Sequence, residues 1–173
     1  MSGRFRIRLA TPREADQIAE IELGGVPQFQ ELPGFETAFT GFVARPEKYS
    51  ALIEASHVFV GVNEVDWPLG FCAVGALDDE AYLAELGVMR ACQRQGLGSM
   101  LVDRACDWAR ENDYSSILLS TFLNVPWNAP FYAKRGFVRL DPTELDKPGI
   151  RAQREHEALF LDMSNRVFMR RHL

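Results

Sequence analysis

The residues best equipped for chemistry lie together in Met89-Arg90-Ala91-Cys92-Gln93-Arg94-Gln95-Gly96-Leu97-Gly98-Ser99. A predicted strand ends at Met89 and a predicted helix begins at Gly96 or Leu97, with a short basic, glycine-rich loop between them. A helix N-terminus presents unpaired N–H groups and partial positive charge, so it can hold a phosphate. Glycine lets the backbone approach that anion without a Cβ in the way, and Arg90 and Arg94 add full charges. Two nucleotide patterns fail on named residues. A dinucleotide fingerprint needs a further glycine where Leu101 stands, and a P-loop needs Gly-Lys-Ser/Thr where the chain has Gly98-Ser99-Met100. A bare strand-to-helix turn would account for Gly96 and Gly98 but not for the arginines beside them.

The elements that must position this loop follow from periodicity and punctuation. Phe5 to Leu9 alternates apolar and basic residues, as in a half-buried strand. Thr11-Pro12-Arg13-Glu14 carries helix-start signals, and the helix bearing Ile18 and Ile21 is expected to end near Gly24-Gly25. Pro27, Pro33 and Gly34 break the next stretch, which Phe29, Phe35, Phe39 and Phe42 line, and Pro46 to Ser56 reads as a further helix. Strands are expected at 57–62, 69–77 and 81–89, the first two joined by a turn into an antiparallel pair. Residues 96–112 form a strong helix with Leu97, Leu101, Ala105 and Trp108 on one stripe. A strand at 116–122, a short helix at about Trp127 to Lys134 and a strand at 137–140 follow. Residues 141–165 read as loop with room for one helix, and 166–172 as a closing strand. This order is an α/β (α+β) chain with one central sheet, taken as a single domain over 1–173.

Composition narrows the class. With 173 residues, 47% apolar and 25% charged, the chain is neither disordered nor a disulfide scaffold. Cys72, Cys92 and Cys106 show no paired or metal-binding spacing, so they read as reduced thiols. His57, His156 and His172 are scattered, and no metal is expected. Nineteen basic against twenty-four acidic residues give a net charge of −5, which counts against a nucleic-acid partner. No apolar run approaches the ~18 residues of a membrane span, and the N-terminus lacks a signal-peptide core. The expected location is the cytoplasm.

The loop resembles the acyl-CoA loop of the GNAT (GCN5-related N-acetyltransferase) family, Gln/Arg-x-x-Gly-x-Gly/Ala, which Gln93-Arg94-Gln95-Gly96-Leu97-Gly98 matches. Downstream, Asn128-Ala129-Pro130-Phe131-Tyr132-Ala133-Lys134-Arg135-Gly136-Phe137 is similar to the family's FY-x-x-x-GF signature. Two motifs in the right order and in the right element types are far more specific than either alone. The resemblance implies a mixed, mostly antiparallel sheet of six to seven strands flanked by helices. It also implies an acetyl-CoA-dependent acetyltransferase.

By that resemblance, N–H groups from Gln93, Arg94, Gln95, Gly96, Leu97, Gly98 and Ser99 cradle the CoA pyrophosphate. Backbone groups of Leu86 and Val88 pair with the pantetheine arm like an added strand, and Gly87 sits at the bulge that opens the acyl cleft. Asn128 either caps the short helix or meets the pantetheine, and the two readings stand level. Tyr132 is the family's general acid toward the CoA thiolate, against the plainer reading of a packed aromatic. Glu85 is the candidate base, with Glu80 and the pair Asp78-Asp79 weaker ones. Some relatives carry a glutamate on the fifth strand where this chain has Ser120.

The acceptor implied is a primary amine of a small molecule. A protein N-terminus or lysine is the alternative, and a non-catalytic acyl-CoA-binding module ranks last. Gly24 to Phe42 and Asp141 to Asn165 are the segments that shape an acceptor pocket in this family. In the latter, Asp141, Glu144, Asp146, Glu155, Glu157 and Asp162 would form acidic walls for a cationic amine. Homodimers are common in the family, but no residue here demonstrates one.

Overall fold

The computed structural model describes residues 4–55 and 57–173. Among the described residues, seven strands stand in the order β1-β2-β3-β4-β5-β7-β6: β1 (Arg6–Leu9), β2 (Val58–Val62), β3 (Pro68–Leu77), β4 (Glu80–Val88), β5 (Ser116–Phe122), β6 (Val138–Arg139) and β7 (Arg166–His172). The α-helices among these residues are α1 (Ala15–Gln30), α2 (Pro46–Glu54), α3 (Leu97–Glu111), α4 (Ala129–Ala133) and α5 (Pro148–Ala158). The chain divides into two compact units, one running through Val74 and including Glu85–Ala105, the other comprising Gly75–Ala84 and Cys106–Leu173. No helix among the described residues is long and apolar enough to cross a membrane.

In the first unit, β1, β2 and β3 form an antiparallel ladder, with Ile7 opposite Gly61 and Val60 opposite Phe71. Ile18 and Ile21 of α1 and Tyr49 and Ile53 of α2 pack with Val58, Val60 and Phe71 into one apolar core. α1 does not stop at Gly24-Gly25 but continues to Gln30 with Pro27 inside it. Each glycine costs a helix only about 1 kcal/mol, and Gln28 is buried near the end of the extension. Gly87 is fixed by close packing: a Cβ there would lie 2.6 Å from the Phe71 ring and 3.3 Å from Ile21.

In the second unit β5 pairs with β7 along its whole length, from Ser116 opposite His172 to Phe122 opposite Arg166. β4 and β5 run parallel and pair at Ala81–Ile117 and Tyr82–Leu118. Tyr82, Leu118, Ile150 and Phe168 form the apolar centre. The stretch 141–165 holds α5, whose first turn is capped by a carboxylate from another element. The N–H groups of Gly149 and Ile150 donate to Asp78 at 2.8 and 3.3 Å. Asp78 is therefore a helix cap and no longer a candidate base.

Glu80 is likewise structural. It is 6% exposed and accepts bonds from Arg170 at 2.6 and 2.7 Å and from the Ser116 hydroxyl. Burial alone would raise its carboxyl, but the bonds from Arg170 and Ser116 hold it below the usual value.

Candidate active site

The loop after β4 lies in the first unit and is braced from within. Arg90–Cys92 makes one tight turn, and the Gln93 side chain donates back across it to the Val88 carbonyl at 3.2 Å. The Gln95 side chain donates to the Ala91 carbonyl at 2.8 Å. Arg94 and Gly96 both adopt left-handed conformations, with φ of 57° and 93°. Left-handed residues are the conformations from which anion-binding backbone nests are built. α3 starts at Leu97, so the orphan N–H groups of its first turn add to the same donor set.

Leu97 itself is fully buried, which leaves only its backbone for a ligand. Gln93, Gly98 and Ser99 are partly exposed, and Arg94, Gln95 and Gly96 are exposed. The assembly can hold a phosphate-bearing group.

Two expectations change in detail. Arg90 does not add free charge to the loop, because its guanidinium forms a two-pronged pair with Glu31 at 2.7 and 3.0 Å. Glu31 lies just beyond the last residue of α1, and nothing in the sequence links it to Arg90. Leu86 and Val88 are half-buried on β4, but one lone pair of the Val88 carbonyl is already taken by Gln93.

Glu85, on the same strand, faces the first helices. Its carboxylate accepts from the Lys48 ammonium at 2.8 Å, and Lys48 also pairs with Glu22 at 3.3 Å. Lys48 was not singled out by sequence. Its signal was only a cation on α2, with nothing to say which carboxylate it would meet.

The second unit carries the remaining residues. Asn128 occupies the position before α4, yet its side chain makes no cap. Instead its carbonyl oxygen accepts from the Thr121 hydroxyl on β5 at 2.6 Å, so the capping alternative falls. Tyr132 is 8% exposed, with its ring edge-on to Phe131 at 5.1 Å and Phe137 at 5.7 Å.

At Ser120 the structure supplies a carboxylate from elsewhere. The Ser120 hydroxyl donates to Glu157 of α5 at 2.7 Å and accepts from Arg166 at 2.8 Å. Glu157 also pairs with Arg166 at 3.0 Å and accepts from Gln153 at 3.1 Å.

Of the six carboxylates expected to form acidic walls in 141–165, Glu144 and Glu157 are paired with arginines, whereas Asp141 and Asp162 stay exposed and charged. Asp141 caps its own turn through the Thr143 N–H, and Asp162 caps through the Ser164 N–H. Glu144 pairs with Arg170 and Glu157 with Arg166. Carboxylates next to turns and arginines are drawn into caps and pairs because unmet N–H groups and buried cations are costly.

The profile of the Acetyltransferase (GNAT) family matches residues 26–137, the greater part of the chain. Solved structures share the fold at low identity. PaiA N-acetyltransferase from Thermoplasma acidophilum, in complex with coenzyme A, is 16% identical over 100% of both chains with a TM-score of 0.72. A GNAT-family acetyltransferase from Staphylococcus aureus Mu50 is 17% identical over 98% of this chain and 99% of its own, with a TM-score of 0.70. N-acetylglutamate synthase from Neisseria gonorrhoeae, complexed with coenzyme A and N-acetyl-glutamate, is 20% identical with a TM-score of 0.72. It matches 100% of this chain but only 36% of its own.

Proposed function

The chain belongs to the GNAT family of acetyltransferases, and on that premise we propose that it acetylates a primary amine of a small molecule by direct attack in a ternary complex with acetyl-CoA. The observation that carries the cofactor assignment is the loop after β4. Left-handed Arg94 and Gly96, exposed and followed at once by a helix start, suit a pyrophosphate rather than a packed turn. Bound acetyl-CoA supplies the acyl group as an activated thioester.

The proposal gives each residue one task. N–H groups from Gln93 through Ser99 hold the pyrophosphate, while backbone groups of Leu86 and Val88 align the pantetheine arm. Asn128, oriented by Thr121, is a further pantetheine contact. Tyr132 donates its phenolic proton to the departing sulfur, and Glu85 receives the proton that the amine must lose. Holding both reactants in one complex converts the encounter into a unimolecular step, a large part of the barrier reduction.

The test is thiol release from acetyl-CoA in the presence of alkylamines, amino acids and peptides. Acceleration by alkylamines supports the proposal. Acceleration by peptides alone assigns a protein acceptor instead. Binding of acetyl-CoA with no accelerating acceptor would reduce the chain to an acyl-CoA-binding module.

A further inference from the structure

A cavity of about 120 Å³ lies wholly within the second unit. Its walls come from β6, β7, α5 and the tight turns at Pro142–Asp146 and Met163–Asn165. Three arginines line it: Arg139 of β6, Arg154 of α5 and Arg166 of β7. The rest of the lining is apolar and contains no carboxylate.

The three cations are not alike. Arg166 is held by Glu157 and the Ser120 hydroxyl. The guanidinium groups of Arg139 and Arg154 have no hydrogen-bond or ion-pair partner among the described residues. Carboxylates are not scarce, since the chain has 24 acidic residues against 19 basic ones. In the same segment, however, Glu144 is taken by Arg170, and Asp141 and Asp162 accept from the N–H groups of Thr143 and Ser164. One carboxylate against three guanidiniums leaves the cavity with surplus positive charge. Like charges around one recess repel, and an anion between them turns that repulsion into attraction.

The apolar lining sets the rest of the ligand. Leu140 and Leu145 pack on the core of Tyr82, Leu118, Ile150 and Phe168 yet stay only partly covered, as does Met163. An apolar recess with a few convergent charged groups is the usual make-up of a small-molecule site. The planar guanidinium fork matches a carboxylate with two parallel bonds. An apolar cavity of about 150 Å³ holds a benzene-sized molecule, so this one suits a short chain and is too small for a nucleotide. We propose that the cavity binds a small organic carboxylate with a short apolar tail. Arg139 and Arg154 grip the carboxylate, and Leu140, Leu145, Met163 and Phe168 cover the tail. None of these residues has a task in acetyl transfer, so the site stands or falls independently of that reading.

Sodium hexanoate titrated into the ¹⁵N-labelled full chain tests this. The amide signals of Leu140, Arg154 and Met163 should shift saturably with a Kd of about 1 mM, and those of residues 93–99 should not. Hexanamide has the tail without the charge, and inorganic phosphate has charge without the tail, so each should bind about tenfold more weakly. Arg139→Gln combined with Arg154→Gln should weaken hexanoate binding about tenfold. Either substitution alone should show part of that loss, and the core signals should stay in place because neither guanidinium holds another element. No saturable shift at tens of millimolar hexanoate overturns the proposal. So does binding that the double substitution leaves unchanged, or that moves the 93–99 signals instead. Phosphate or hexanamide binding as tight as that of hexanoate also overturns it.

Discussion

The Ser120 hydroxyl of β5 donates a 2.7 Å hydrogen bond to the Glu157 carboxylate of α5, and Arg166 of β7 bonds to both. A strand position where some relatives carry a glutamate thus receives one from a helix far along the chain. With Gln153, Ser120 and Arg166 all donating to it, this carboxylate is saturated and acts as a brace. Glu157→Ala should cost about 3 kcal/mol, because it leaves Arg166 largely buried without its partner. Urea unfolding measures that loss. The turnover of the folded fraction should hold, and a collapse of kcat at full folding would make Glu157 part of the chemistry.

The two loop arginines should behave differently. Arg90 is exposed and already paired with Glu31, and exposed pairs contribute little. Arg90→Ala should therefore leave acetyl-CoA affinity within about twofold. Arg94 is exposed and stands inside the left-handed loop, so Arg94→Ala should weaken binding about tenfold, with a reduced salt dependence. Calorimetric titration with acetyl-CoA reads both.

Tyr132→Phe deletes one oxygen and retains the edge-on ring contacts with Phe131 and Phe137. If its phenol is the proton donor, kcat should drop about a hundredfold. Acetyl-CoA affinity and thermal stability should stay near wild type. Undiminished turnover would remove Tyr132 from the acid role.

Glu80 links β4 to β7 through Arg170, and its carboxyl sits below the usual value in the folded chain. The sign follows from linkage. The stabilisation is complete above the ordinary carboxylate range and is lost as pH falls through the depressed folded value. The urea midpoint should decline from about pH 5 downward. Glu80→Gln should lower stability by about 3 kcal/mol near neutral pH and flatten that decline. An equally steep acid decline in the variant would place its cause at other carboxylates.

Most of the fold was legible because it rests on local pattern. Strand alternation, the apolar stripe of α3 and the turn residues gave β5, β7 and α3 within a residue of their observed bounds. α1 runs past Gly24-Gly25 because each glycine costs a helix only about 1 kcal/mol, too little to stop it. The loop proposed to hold acyl-CoA was legible for a related reason: the backbone groups assigned to it are consecutive, so sequence order alone assembles them. Side-chain partners between distant segments carry no comparable signature.

By itself, the sequence determined the family, the strand-loop-helix unit at Gln93 to Ser99, and the two motifs that bound the chemistry. Each is a run of neighbouring residues, and neighbours are fixed by the covalent chain. Only the tertiary structure decided which charges are available. It paired Arg90 with Glu31, bound Glu85 to Lys48, and paired Glu144 with Arg170 and Glu157 with Arg166. The physical reason is that a charge acts according to what lies within a few ångströms of it, and those neighbours come from distant parts of the chain.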